Sequence, residues 1–178
     1  MRAFLGLSPD AKTKLAIDAW RHKSLPQFNA PVPAANFHVT LAFLGQVTAK
    51  HLDSINTEIE NMPDIAEFDV TLDQVGYWPK PKAFWLGCQN SAEQHKQLAK
   101  QLHKIAKIAG LNLPKHPYIP HLTLARKCNE NPPAPLIQPN FNWRAKEFHL
   151  YESVSSSHGV AYHIRQSWPL KMSFSFNR

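Results

Sequence analysis

One short phrase occurs twice in this chain. The first copy is Phe37-His38-Val39-Thr40-Leu41-Ala42 and the second is Pro120-His121-Leu122-Thr123-Leu124-Ala125. Each sets a His, an apolar residue, a Thr and a Leu in an apolar run, which reads as a strand. Side chains of an extended strand alternate between its faces. His38 and Thr40 therefore share one face, with Val39 and Leu41 on the other. The same parity puts His121 beside Thr123 and opposes them to Leu122 and Leu124. The fold must accommodate two strands, one in each half, that each carry an imidazole and a hydroxyl side by side.

The remaining patterns predict an α+β fold. Arg2 to Leu7 reads as a first strand. Ser8 and Pro9 look like a helix start, and Leu15, Ala16, Ala19 and Trp20 fall at helical spacing up to about His22. Thr48 is the expected cap of a second helix with Leu52, Ile55, Ile59 and Met62 as its stripe, ended by Pro63. Phe68, Val70 and Leu72 alternate as a half-buried strand. Gly76 to Lys82 is predicted as an aromatic loop that feeds a strand from Ala83 to Cys88. Ser91 and Gln94 have the form of a capping box before a helix that carries Leu98, Leu102, Ile105 and Ala109, closed by Gly110. Residues 129–139 form a proline-rich connector. Strands from Glu147 to Val154 and from Ala161 to Leu170 are expected to make a hairpin. The tail after Lys171 is expected to be loosely held. The order of elements is not a regular βαβ alternation, which favours mainly antiparallel sheet. The repeated strand suggests two lobes related by an approximate twofold, and 178 residues suit one domain or two small packed lobes.

Charge narrows the partner. The formal net charge of +7 favours an anionic ligand, nucleic acid first. Lys96, Lys100, Lys104 and Lys107 line one side of the third predicted helix; their spacing describes a solvated face, with RNA contact as the alternative. Cys88 and Cys128 are the only cysteines and read as ordinary reduced thiols, since they form neither a disulfide framework nor a zinc pattern. No signal-like segment and no run of about 18 apolar residues is present, so a cytoplasmic protein without membrane contact is expected.

Two histidines set on matching strands can do one of three things. A satisfied, partly buried His is the bland outcome for each motif alone, but two copies with matching neighbours argue against it. A metal site needs at least three protein ligands, and neither motif carries a further His or carboxylate on its own face. Acid–base chemistry fits best, because one imidazole can accept a proton while the other gives one. Each Thr hydroxyl can then donate to a phosphate oxygen, and Arg126 can neutralise developing charge. Strict alternation, however, sends Arg126 to the face opposite His121. Its use requires the strand to end, twist or bulge after Leu124.

These blocks resemble those of the two-histidine phosphoesterase superfamily, whose hallmark is a pair of His-x-Thr/Ser motifs in two lobes. Within it the chain is similar to the RNA 2',3'-cyclic phosphodiesterases, once described as 2'-5' RNA ligases. The resemblance runs through Asn36 to Gly45, Pro79 to Gly87, Pro120 to Arg126 and Leu150 to Ser153. It implies one two-lobed phosphoesterase domain over residues 1–178, with sheets covered by helices on their outer faces and a groove between the lobes. It also implies hydrolysis of RNA 2',3'-cyclic phosphate ends to 2'-phosphomonoesters, with no cofactor and no metal. By family pattern His38 is the proton donor and His121 the proton acceptor, while Thr40, Thr123 and Arg126 bind the substrate. The implied partners are RNA or oligonucleotide ends bearing a cyclic phosphate, tRNA fragments among them, met by a monomer. The alternatives are a 2'-5' RNA ligase, which reverses the chemistry at the same site, and a non-catalytic RNA-end binder. Phe37, Tyr77, Trp78 and Tyr118 are candidates to stack on a base, with core or loop packing ranked ahead. His116, His149 and His163 sit in no motif and read as structural or surface residues.

Overall fold

The first strand, β1 (Arg2–Leu7), is buried along nearly its whole length, as a strand covered on both faces must be. It lies between β3 (Val39–Gln46), which carries the first motif, and β9 (Glu147–Ser156). β9 turns back through a hairpin into β10 (Gly159–Pro169), completing an antiparallel sheet of order β10-β9-β1-β3. A second antiparallel sheet has the order β2-β7-β6-β5, built from β2 (Ala30–Pro31), β5 (Gln74–Trp78), β6 (Ala83–Gly87) and β7 (His121–Arg126). β7 carries the second motif. A separate ribbon pairs β4 (Phe68–Leu72) with β8 (Phe141–Ala145). Three helices complete the fold: α1 (Ala11–Ser24), α2 (Ala49–Asn61) and α3 (Glu93–Ile108). The computed structural model describes residues 1–173. Most of the tail expected to be loosely held lies outside them.

The apolar faces of both motif strands enter the core. Val39, Leu41, Leu122 and Leu124 are all buried within the same cluster as Leu5, Leu86, Leu98 and Leu102. The α+β architecture with antiparallel sheets is therefore as the patterns predict, and each motif sits on its own sheet.

Local chemistry moved several boundaries. Asp10, not Ser8, caps α1: its carboxylate accepts from the Thr13 backbone N–H at 2.7 Å, and those bonds hold its pKa below the usual carboxylate range. The helix runs on to Ser24 and buries Thr13, Ile17, Trp20, Arg21 and Ser24, while Leu15 is 68% exposed. The apolar stripe misled because the buried face includes an arginine. Thr48 caps α2 as expected, with His51 closing the capping box. The box expected at Ser91 does not form, and α3 starts after Ala92 without a side-chain cap. Gly110 does end it, at φ +92°.

The first three residues of the expected aromatic loop, Gly76 to Trp78, are strand. Gln74 to Trp78 pair with β6, leaving Pro79 to Lys82 as the turn. Gly76 permits this, since a Cβ there would stand 2.1 Å from the Trp85 indole that crosses it. Strand β8 is an element beyond those expected above, although Phe141-Asn142-Trp143-Arg144-Ala145 alternates apolar and polar residues and buries Trp143 and Ala145; its pairing with β4 is a tertiary fact.

His95, in the first turn of α3, is fully enclosed, and burial pushes its pKa down to about 4. The unfolded chain binds that proton more tightly, near pH 6.5, so stability is complete above that value and falls as the pH drops toward 4. The loss has a ceiling of about 3 kcal/mol for this residue. Urea unfolding at about pH 7 and pH 5 should show it, and His95→Gln should shrink the difference. An unchanged difference in the folded variant would remove His95 as its source.

Candidate active site

Each motif histidine is held the same way. His38 Nδ1 donates to the carbonyl of Asn36 at 2.8 Å, and His121 Nδ1 donates to that of Ile119 at 2.8 Å. In both cases the acceptor stands two residues earlier in the chain. These bonds fix the Nδ1–H tautomer and leave Nε2 as the working nitrogen of each neutral ring. The 3-10 turn Ala34–Asn36 and the buried Phe37 deliver His38 to its place. Its Nε2 lies 3.0 Å from Thr40 Oγ1, so parity paired them as expected, and the hydroxyl donates to the neutral ring. Thr123 lies half-buried on the face of β7 that His121 occupies, opposite Trp85 of β6.

The parity conflict at Arg126 is resolved by a β-bulge. Phe84 pairs with Ala125 but Trp85 pairs with Thr123, so Leu124 is an extra residue in β7. Leu124 and Ala125 are both buried, and the alternation resumes one step late. Arg126 thereby returns to the His121 face, where its charge helps keep the pKa of both His121 and His38 low. No carboxylate pairs with it among the described residues. β3 repeats the device. Leu5 pairs with Ala42 and Gly6 with Thr40, which makes Leu41 the extra residue. The residue that corresponds to Arg126 is then Phe43, 50% exposed on the His38 face. Sequence reasoning missed Phe43; its shared offset of five from the motif His was the signal, and only the bulge gives that offset meaning.

Both imidazoles sit among aromatic rings. Phe4 and Tyr162 lie 4.6 and 5.0 Å from the His38 ring, centroid to centroid, and Tyr151 lies 5.9 Å away. Trp78 meets His121 edge-on at 4.5 Å, with Trp85 behind it at 6.1 Å. Loss of hydration in this setting is the main cause of the His38 pKa falling to about 4, and the nearby positive groups His121, Arg126 and Lys14 add to it. The His121 pKa is lowered chiefly by burial too, then by Arg126 and His116. Both shifts favour the neutral form of the ring.

Of the four aromatic residues considered for base stacking, Trp78 alone meets a motif histidine. Phe37 is buried, with the Arg21 guanidinium 5.0 Å over its ring. Tyr77 donates its hydroxyl to the Cys128 carbonyl at 2.7 Å. Tyr118 donates to the Thr40 carbonyl at 2.9 Å and takes a bond from His95 Nε2, so it is a strut between the halves. His116 and His163 are exposed, and His149 is buried against Ser167 Oγ at 2.7 Å. Lys96, Lys100, Lys104 and Lys107 are all exposed on the outer side of α3. Cys88 and Cys128 are free thiols. No helix among the described residues is long and apolar enough to cross a membrane.

Two antiparallel sheets that each present a His held through Nδ1, with a Thr on the same face, have the paired arrangement of a two-histidine phosphoesterase. Residues 8–155 match the 2'-5' RNA ligase superfamily, and the chain belongs to it. It is 32% identical to an RNA 2',3'-cyclic phosphodiesterase of Escherichia coli, over 95% of this chain and 96% of that one. A Thermotoga maritima protein of the same name is 25% identical over 92% of both chains. Among solved structures, E. coli LigT complexed with 3'-AMP superposes with a TM-score of 0.87 at 31% identity, covering 95% of this chain and 97% of that one.

Proposed function

We propose that this protein opens 2',3'-cyclic phosphate ends of RNA by hydrolysis, leaving 2'-phosphomonoesters. The observation that carries it is the pair of imidazoles, each with Nδ1 tied to a carbonyl, near enough to one another and to Arg126 that both His121 and Arg126 act on the His38 charge. His121 Nε2 takes a proton from water as the water oxygen attacks phosphorus. The bond from phosphorus to O3' breaks in line, and His38 Nε2–H gives its proton to the departing oxygen. Thr40 and Thr123 donate to the non-bridging oxygens, and Arg126 faces the charge that builds there. All of these groups are side chains of the protein, so the scheme needs no cofactor. RNA ends with a cyclic phosphate are the partners that fit, tRNA fragments among them, met by a monomer in the cytoplasm. Joining would put a 5'-hydroxyl in place of water as the nucleophile on the same cyclic phosphate: the 5' oxygen bonds phosphorus, the bond to O3' breaks, and the same two histidines carry the protons.

A donor must hold a proton, and His38 in the empty groove does not. An anionic phosphate beside it favours the charged imidazole and restores that proton. Binding of a 2'-phosphorylated nucleotide should therefore move the His38 titration midpoint upward from about 4. Imidazole proton resonances followed against pH, with and without the nucleotide, measure this. A midpoint that stays put or falls on binding would deny His38 the donor role. The activity itself is tested with an oligonucleotide ending in a 2',3'-cyclic phosphate. The expected product is the 2'-phosphate; salt-sensitive binding without turnover would leave only an RNA-end binder.

A further inference from the structure

The bulges at Leu41 and Leu124 are two of several register shifts in the sheets, and at each the extra residue disrupts the ladder while its carbonyl still needs a partner. The fastening is supplied by helices that lie outside the groove. Arg21 of α1 donates from Nη1 to the carbonyl of Leu124, the extra residue of β7, at 2.7 Å. The same nitrogen bonds the Val32 carbonyl at 2.7 Å, while Val32 N–H donates to the Leu124 carbonyl at 2.9 Å. On the other strand His103 of α3 donates from Nε2 to the carbonyl of Leu41, the extra residue of β3, at 2.9 Å. The two contacts are counterparts. Arg21 stands 17 residues before His38 and His103 stands 18 before His121. Yet each helix reaches across: α1 fastens the second motif strand and α3 the first.

Arg21 is built for this place. It is 6% exposed, neutralised by Asp18 at 2.7 Å and laid over the ring of Phe37, the residue before His38. A buried guanidinium is costly unless its donors are used, and here they are spent on the strand that carries His121. We propose that Arg21 and His103 are positioning residues: each holds the bulge of the opposite motif strand and thereby decides that Arg126 and Phe43 face the groove. Without the bulge, alternation returns Arg126 to the core side. The assignment rests on the catalytic reading of Arg126, and its test keeps the two apart.

The test is a pair of double-mutant cycles read as kcat/KM on a cyclic-phosphate oligonucleotide, with unfolding curves to confirm folded variants. Arg21→Met should lower kcat/KM to within about threefold of Arg126→Ala, and in the Arg126→Ala background it should cost less than about threefold more. Losses that multiply in full would mean Arg21 acts on something else and would overturn the inference. His103→Leu should raise KM as Phe43→Ala does, with little further change in the double variant. His103→Gln, which keeps a donor near the Leu41 carbonyl, should restore KM. A folded His103→Gln that fails to rescue, or a His103→Leu that changes nothing, counts against the inference even if Arg21→Met does not fold. Should Arg126→Ala prove fully active, the catalytic reading of Arg126 is what fails. A crystal structure of Arg21→Met then decides the positioning role: a bulge still at Leu124, with Arg126 on the groove face, overturns it.

Discussion

His38→Ala and His121→Ala should each lower kcat on a 2',3'-cyclic phosphate end by about 10²- to 10⁴-fold while the chain stays folded. The expectation follows from what each ring does in the fold. Both are bonded through Nδ1 to the carbonyl two residues back in their own chain segment, which leaves Nε2 as the nitrogen for proton transfer. Truncation removes the proton carrier and also the ring's contacts with Phe4 and Tyr162, or with Trp78, so unfolding curves accompany the rate measurements. The double variant should lose little beyond the worse single one, because donor and acceptor act in one displacement and their effects are not independent. Product analysis by chromatography of the oligonucleotide ends measures the rate directly. Full activity in either folded single variant would remove the two-histidine mechanism.

Arg126→Ala should cost about 10²-fold in kcat, the scale on which a single charged donor stabilises developing phosphate charge. Two further effects separate this role from simple substrate attraction. Removing the guanidinium also removes a positive charge that holds the His38 and His121 pKa values down, so both should rise in the empty groove. Arg126→Lys keeps a charge without the planar fork and should recover only part of the rate. The imidazole resonances report the first effect and single-turnover rates the second. If kcat is kept and KM alone rises, Arg126 steers the substrate and takes no part in the transition state.

Phe43 occupies on β3 the place that Arg126 occupies on β7. The two halves use one backbone device to present different chemistry, a cation beside His121 and an exposed aromatic face beside His38. An aromatic face stacks on any base with little sequence preference, which suits an enzyme that reads an RNA end by its phosphate.

The sequence by itself determined the strand parity. His–Thr on one face and Val–Leu or Leu–Leu on the other is a property of the extended backbone, and the structure keeps it in both motifs. It also determined the antiparallel α+β class, from the order and period of the apolar runs. The tertiary structure alone decided the register. A bulge depends on which residue faces which across two strands that are far apart in the chain, and no local pattern near Leu41 or Leu124 announces it. The partners that fasten the bulges, Arg21 and His103, come from helices more than 60 residues away in sequence. For the same reason no local pattern around Arg21 announces its burial.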